Sequence, residues 1–176
     1  MNSSTPILIQ PKAHLDNRGS FVKTWHPDLL AAHGVAMNFA EEFYSVSPRG
    51  VLRGMHFQAP PHSHDKLVYC VTGRVLDVVL DLRKEQPTFG QSSSWELSEK
   101  NACMLYIPAG FAHGFLALDE RNAMIYKTST VYSPEHDRGV RWDSFGFSWS
   151  ETGPVISDRD KGLPAFHEFQ SPFPTP

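Results

Sequence analysis

The run VLRGMHFQ, residues 51–58, sets an arginine and a histidine three positions apart in an otherwise apolar stretch. A guanidinium grips an anion through two parallel donors, and an imidazole moves a proton near neutral pH. On a regular strand Leu52, Gly54, His56 and Gln58 share one face and Arg53 faces away. Gly54 is a natural place for a bulge that re-aims Arg53 toward His56. The next apolar run, DKLVYCV, begins with Lys66, a fixed positive charge suited to an oxygen that becomes negative during a reaction. In AMIYKTSTVY, period two puts Tyr126, Thr128, Thr130 and Tyr132 on one face, with one phenol as a proton donor and another as a flat stacking surface. His113 follows the Pro-Ala-Gly turn of IPAGFAHGF and heads a further strand. Each residue type also has an ordinary use. A strand histidine can be structural, a lysine can snorkel to a rim, and paired tyrosines can simply pack.

A metal centre is the rival chemistry, because the chain holds nine histidines. His62 and His64 in HSH, followed far downstream by His113, echo the two motifs of metal-binding cupins. Those proteins need a carboxylate a few residues after the paired histidines, and here Lys66 stands where the anionic ligand belongs. A cation at that position repels a metal ion. No metal is therefore expected, and His62 and His64 are read as surface residues.

Residues so spaced need a frame. Strand signals recur in ILIQP, SFVKTW, NFAEEFYSV, VLRGMHF, LVYCV, RVLDVVLDLR, SSSWEL, CMLYIP, HGFLAL and AMIYKTSTVY. In RVLDVVLDLR, Leu76, Val78, Leu80 and Leu82 alternate with Asp77, Val79 and Asp81, which predicts a sheet with one buried face. One short helix is expected at PDLLAAHG, between Pro27 and Gly34, and a helical turn opens at Ser157 in SDRDKG. Many short strands with little helix mean a sandwich, jelly roll or small barrel, whose obvious site is the cavity between its sheets.

The chain has 176 residues, 40% of them hydrophobic and 20% charged, which suits a single domain spanning 1–176 with loose ends near 1–5 and 170–176. A formal net charge of -3 argues against nucleic-acid binding but not against holding a pyrophosphate with a few placed cations. Cys70 and Cys103 read as buried reduced thiols. The start MNSSTPILIQP lacks the basic segment and apolar run of a signal peptide, and no apolar stretch approaches membrane length, so the cytoplasm is the expected compartment.

With these residues in view, the sequence resembles the dTDP-4-dehydrorhamnose 3,5-epimerase family from about Ile7 to Phe166. The matching runs are DNRGSF, VLRGMHFQ, KLVYCVTGRVLDVVLDLRKEQPTFGQ, LYIPAGFAHGF, YKTSTVYSPEH and ISDRDK. The resemblance implies an all-β, cupin-type jelly-roll barrel with short N- and C-terminal helices and neither metal nor cofactor. It implies His56 as the catalytic base, Asp160 as the acid that orients it, Tyr126 as the proton donor and Tyr132 as the residue that stacks on the nucleotide base. Arg53, Lys66 and His113 match residues lining the sugar and phosphate site, and Asp137 and Arg159 fall where the family has a Glu and a Lys. Arg18 matches an arginine donated by the neighbouring subunit of a strand-exchanged homodimer. The chain departs from the family in its nucleotide-recognition part. Lys23 stands for a glutamate, and Glu41 and Phe43 stand for a Gln and an Asn.

The implied reaction is epimerisation of a nucleotide-linked 4-keto-6-deoxy sugar at C3, C5 or both, in deoxysugar biosynthesis of the rhamnose type. A 4-keto group acidifies the hydrogens on both neighbouring carbons. His56 removes one, Lys66 and His113 stabilise the enolate oxygen, and Tyr126 returns a proton from the opposite face. The alternatives are a metal-dependent cupin oxygenase or isomerase on His62, His64 and His113, a non-catalytic sugar-binding module, and an isomerase that moves the keto group between C3 and C4.

Overall fold

The computed structural model describes residues 3–173. The two outermost parts of the expected loose ends, residues 1–2 and 174–176, lie outside it. Strands β1 (Ile7–Ile9), β4 (Glu41–Ser47), β6 (Lys66–Thr72), β9 (Met104–Ile107) and β11 (Asn122–Thr128) form one antiparallel sheet in the order β1-β9-β6-β11-β4. Strands β5 (Leu52–Gln58), β7 (Arg74–Asp81), β8 (Ser92–Ser98), β10 (Phe111–Ala117) and β12 (Asp137–Gly139) form the second, in the order β12-β5-β10-β7-β8. These sheets face each other as an all-β jelly roll. A separate hairpin, β2 (Ala13–Asp16) with β3 (Gly19–Val22), projects its side chains almost entirely into solvent.

Between the sheets Val68, Val75, Val79, Leu105, Phe115 and Met124 make the inner core. The outer faces are covered as well. Leu30, Val35 and Met37 pack on Leu67, Tyr69, Met104 and Tyr106 of the first sheet. On the second, Phe145, Phe147, Trp149, Phe166, Phe169 and Phe173 pack over Met55, Phe57, Val78, Leu80 and Ala112. This corrects the expectation of one buried face on β7. Asp77 and Asp81 are both buried, because the face they share with Val79 lines the barrel while Leu76, Val78 and Leu80 lie under the C-terminal aromatics. Near the chain end, Ser171 donates a hydrogen bond to the Leu82 carbonyl and the Phe173 ring lies 5.5 Å from Phe57.

Both expected helical segments form. α1 (Pro27–Ala31) begins with proline in its first turn, where a missing N–H costs nothing, and Gly34 follows at a positive φ of 70°. α2 (Asp158–Lys161) is capped by Ser157, whose hydroxyl accepts from the Asp160 backbone N–H at 3.1 Å. Sequence reading missed β2, β12 and the true end of β11. The strand stops at Thr128 because the Thr128 hydroxyl donates to the Thr130 carbonyl and the Ser129 amide donates to the Asp65 carbonyl, turning the chain out of the sheet. Tyr132 is thus on a loop and not on the strand of Tyr126.

Candidate active site

The barrel encloses a cavity of about 460 Å³ that opens at one end. Its lining brings together His56, Lys66, Arg53, His113, Tyr126, Tyr132, Asp137, Arg159, Asp160, Glu41 and Phe43. Of the residues given a catalytic or substrate-binding role from sequence, Arg18 and Lys23 stay outside, as does His62 of the rival metal set. Arg18 sits at the tip of the β2–β3 hairpin, paired with Asp16, and Lys23 follows β3 as an exposed side chain.

His56 and Arg53 share the cavity because β5 is irregular at Gly54. This glycine has φ +141°, and a Cβ there would lie 2.5 Å from the Gly114 Cα of β10. No other residue fits such a close approach at that φ. The register between β5 and β10 shifts at this point, with His56 directly opposite His113 and Arg53 opposite Phe115. Both side chains consequently reach one cavity, as the bulge reading anticipated. Arg53 is held by donation from Nε to the Ser47 hydroxyl at 3.0 Å.

His56 Nε2 donates to Asp160 Oδ1 at 2.7 Å, and Asp160 Oδ2 accepts from the Gly54 amide at 3.2 Å. Burial works to raise the Asp160 carboxyl, but the His56 hydrogen bond and charge, the Gly54 amide and the Arg159 charge outweigh it and hold it below the ordinary carboxylate range. Asp160 is therefore an anion that fixes the imidazole with its proton on Nε2 and leaves Nδ1 basic. The α2 cap fixes the first turn from which this side chain reaches across to β5.

The opposite wall comes from the other sheet. Tyr126 of β11 is buried, its hydroxyl 3.1 Å from that of Ser45, and its ring stacks on Phe43 with centroids 4.8 Å apart. Burial raises its phenol well above the usual tyrosine range, against the Ser45 hydrogen bond, so Tyr126 enters as a protonated acid. Lys66 Nζ donates to the His56 carbonyl at 3.0 Å. Burial pushes its ammonium down to about 8, with Asp137 and Asp77 pulling the other way.

Tyr132 is 56% exposed, so its ring is available to a ligand, and its loop is pinned at several points. Its amide donates to Glu41 at 2.6 Å and its hydroxyl to Asp137 at 3.2 Å, while Arg159 donates to the same Asp137 oxygen at 2.7 Å. Gln58 accepts from the Ser133 amide at 2.6 Å. Glu41 was singled out as a substrate contact, yet one of its oxygens is committed to this loop.

Sequence reading missed Ser45, Gln58, His64 and Asp77. His64 corrects the surface reading. It lines the cavity, its Nδ1 is 3.2 Å from Gln58 Nε2, and burial with help from the Lys66 charge pushes its imidazole down to about 3. Among the described residues no three His, Cys, Asp or Glu side chains converge as a ligand set, so His62, His64 and His113 do not form the rival metal site. Asp77 lies 2.8 Å from His113 Nε2 at the barrel interior. Its signal was Val79, an apolar residue sharing its face of β7 and hence marking that face as inward.

Comparison with known proteins agrees with this geometry. The family model described as dTDP-4-dehydrorhamnose 3,5-epimerase matches residues 4–168. The dTDP-4-dehydrorhamnose 3,5-epimerase of Mycolicibacterium smegmatis is 42% identical over 168 residues, covering 93% of this chain and 82% of its own. The crystal structure of the enzyme of that name from Sulfolobus tokodaii superposes with TM-score 0.90 at 36% identity, covering 98% of this chain and 96% of its own. The dTDP-6-deoxy-D-glucose-3,5-epimerase of Legionella pneumophila, solved in complex with dTDP-4-keto-L-rhamnose, superposes with TM-score 0.89 at 30% identity, covering 97% and 93%. A match over nearly the whole length, in sequence and in fold, makes this chain a member of the dTDP-4-dehydrorhamnose 3,5-epimerase family.

Proposed function

We propose that the chain epimerises a dTDP-linked 4-keto-6-deoxy sugar at carbons beside the keto group. The observation that carries this reading is that a carboxylate-oriented histidine and a protonated tyrosine rise from opposite sheets into one cavity. Inversion of a carbon needs a base on one face and an acid on the other. His56 Nδ1 takes the proton on carbon, and Asp160 stabilises the resulting imidazolium. Lys66 and His113 stabilise the enolate oxygen, and Tyr126 returns a proton from the other face. His56 then loses a proton to solvent and Tyr126 regains one, so a solvent-derived hydrogen ends on the inverted carbon. Arg53 and Arg159 suit the diphosphate, and the exposed Tyr132 ring suits the nucleotide base.

In deuterated water the protein, given dTDP-4-keto-6-deoxyglucose, should incorporate deuterium at C3, C5 or both, with inverted product by NMR. No incorporation and no inversion would refute the reading. A keto group moved to C3 would point instead to the ring-isomerase relative.

The reading includes a homodimer. Leu15 and Phe21 of the hairpin are 78% and 64% exposed, and Arg18 and Lys23 stand clear of their own cavity. A second copy that receives the hairpin would bury these apolar groups and gain Arg18 at its site. Co-expressed His56→Ala and Arg18→Ala chains test this. Random pairing restores about a quarter of the sites if Arg18 acts in the neighbour, and none if it acts in its own chain. No helix is long and apolar enough to cross a membrane, and both cysteines are free and buried, which suits the reducing cytoplasm.

A further inference from the structure

Asp77 is a fully buried acid that takes no part in the proton transfers of the epimerisation. Its Oδ2 lies 2.8 Å from His113 Nε2, while Oδ1 is buried without any hydrogen-bond partner. A carboxylate shares its charge between both oxygens, so a bare buried Oδ1 would carry half a charge with nothing to satisfy it. A carboxylic acid with its proton on Oδ2 leaves Oδ1 as a plain carbonyl oxygen, whose desolvation is far less costly. The groups facing it are His113 of β10, Lys66 of β6 and Tyr126 of β11. Burial raises the Asp77 carboxyl, opposed by His113 and then by Lys66. The Lys66 ammonium, moreover, spends a hydrogen bond on the His56 carbonyl.

The location of that proton decides what His113 can do. An anionic Asp77 would hold the imidazole hydrogen on Nε2 and leave Nδ1 a lone pair, which repels an enolate oxygen. An Asp77 that donates to Nε2 forces the hydrogen of neutral His113 onto Nδ1, the nitrogen left for a ligand. We propose that Asp77 is kept as the neutral acid, donates its proton to His113 Nε2, and so fixes His113 as the Nδ1–H tautomer that hydrogen-bonds the substrate's keto oxygen. Asp77 is thus a positioning residue, and the inference rests on the epimerase reading above for the identity of that oxygen.

Nitrogen-15 NMR of the substrate-free protein, labelled at histidine and with the His113 signals identified by their loss in His113→Gln, reads the tautomer directly. In neutral His113, Nδ1 should show the shift of a protonated ring nitrogen and Nε2 that of an unprotonated one. The opposite pattern overturns the proposal, whatever the enzyme's substrate. Asp77→Asn supplies a second test, since an amide N–H can donate to Nε2 in place of the acid. Turnover should fall no more than ~5-fold in Asp77→Asn but at least ~50-fold in Asp77→Leu, which cannot fix the ring. A folded Asp77→Asn variant that loses ~10³-fold or more, as expected when an orienting carboxylate is replaced, would overturn it. Inactivity of the unaltered protein on every 4-keto sugar tested would refute the epimerase reading and leave the NMR result standing.

Discussion

Two histidines on neighbouring strands face the same cavity, each paired with an aspartate, and the surroundings drive the two pairs apart. Asp160 meets His56, the Gly54 amide and the Arg159 charge, and its carboxyl is held below the ordinary range. Asp77 meets His113 on one oxygen and nothing on the other, and burial lifts its carboxyl. His56 keeps 27% of its side-chain surface exposed, whereas His113 keeps 4%. The first pair is built to accept a charge that comes and goes, and the second to stay neutral. The identity of two residues therefore says less about their chemistry than the count of donors around the acid.

The largest effect should come from the first pair. His56→Ala should lower turnover by ~10³-fold or more with fold unchanged by circular dichroism, the upper part of the range for a lost general base. Asp160→Asn should approach this, because an amide offers His56 the wrong partner and the wrong tautomer. If Asp160→Asn and Asp77→Asn reduce turnover equally, the contrast drawn between the pairs collapses.

Gly54→Ala strikes both pairs together, since the new Cβ would collide with Gly114 between the two histidine-bearing strands. It should destabilise the protein by about 3 kcal/mol in urea unfolding and reduce turnover in whatever folds. Full activity in a stable variant would show that the pairs do not depend on this close approach.

Lys66, which donates to the His56 carbonyl, sets a pH limit. Its ammonium, down at about 8 in the fold against an ordinary 10.5, should be lost as pH rises through 8, and enolate stabilisation with it. Stability runs the other way. The unfolded chain binds this proton more tightly, so between pH 8 and 10.5 the Lys66 contribution favours folding increasingly as pH rises. Turnover measured from pH 7 to 10 should fall with a midpoint near 8, and the fall should vanish in Lys66→Met at a much lower overall rate. The smallest effect belongs to the rim. Glu41→Gln should raise KM by ~2- to 5-fold with kcat nearly unchanged, because a weaker acceptor still holds the Tyr132 amide.

Strand positions around the site were legible from alternation, and the motif runs delivered His56, Lys66, Tyr126 and Asp160 while Ser45, Gln58 and His64 went unassigned. Local pattern failed where long-range contacts decide. Asp77 read as exposed because alternation favoured the Leu76, Val78 and Leu80 face, which in fact lies under aromatics from residues 145–173, and the single signal of Val79 was outweighed. β12 is too short to carry a period, and it exists because Asp137, Arg138 and Gly139 pair with β5. Tyr132 fell on the wrong element because two side-chain and loop hydrogen bonds at Thr128 and Ser129 override the strand propensity of the residues beyond. Arg53 was recoverable because a glycine inside an apolar strand is itself a signal.

The segment after β12 does two unrelated jobs. It lays its aromatics over the outside of the second sheet, and it carries the capped turn that ends in Asp160. During synthesis it leaves the ribosome after every strand of both sheets. A barrel still waiting for it is sticky on the outside and leaves His56 without its Asp160 partner within. Covering that sticky surface and orienting His56 are then one event, completed by a single stretch of chain.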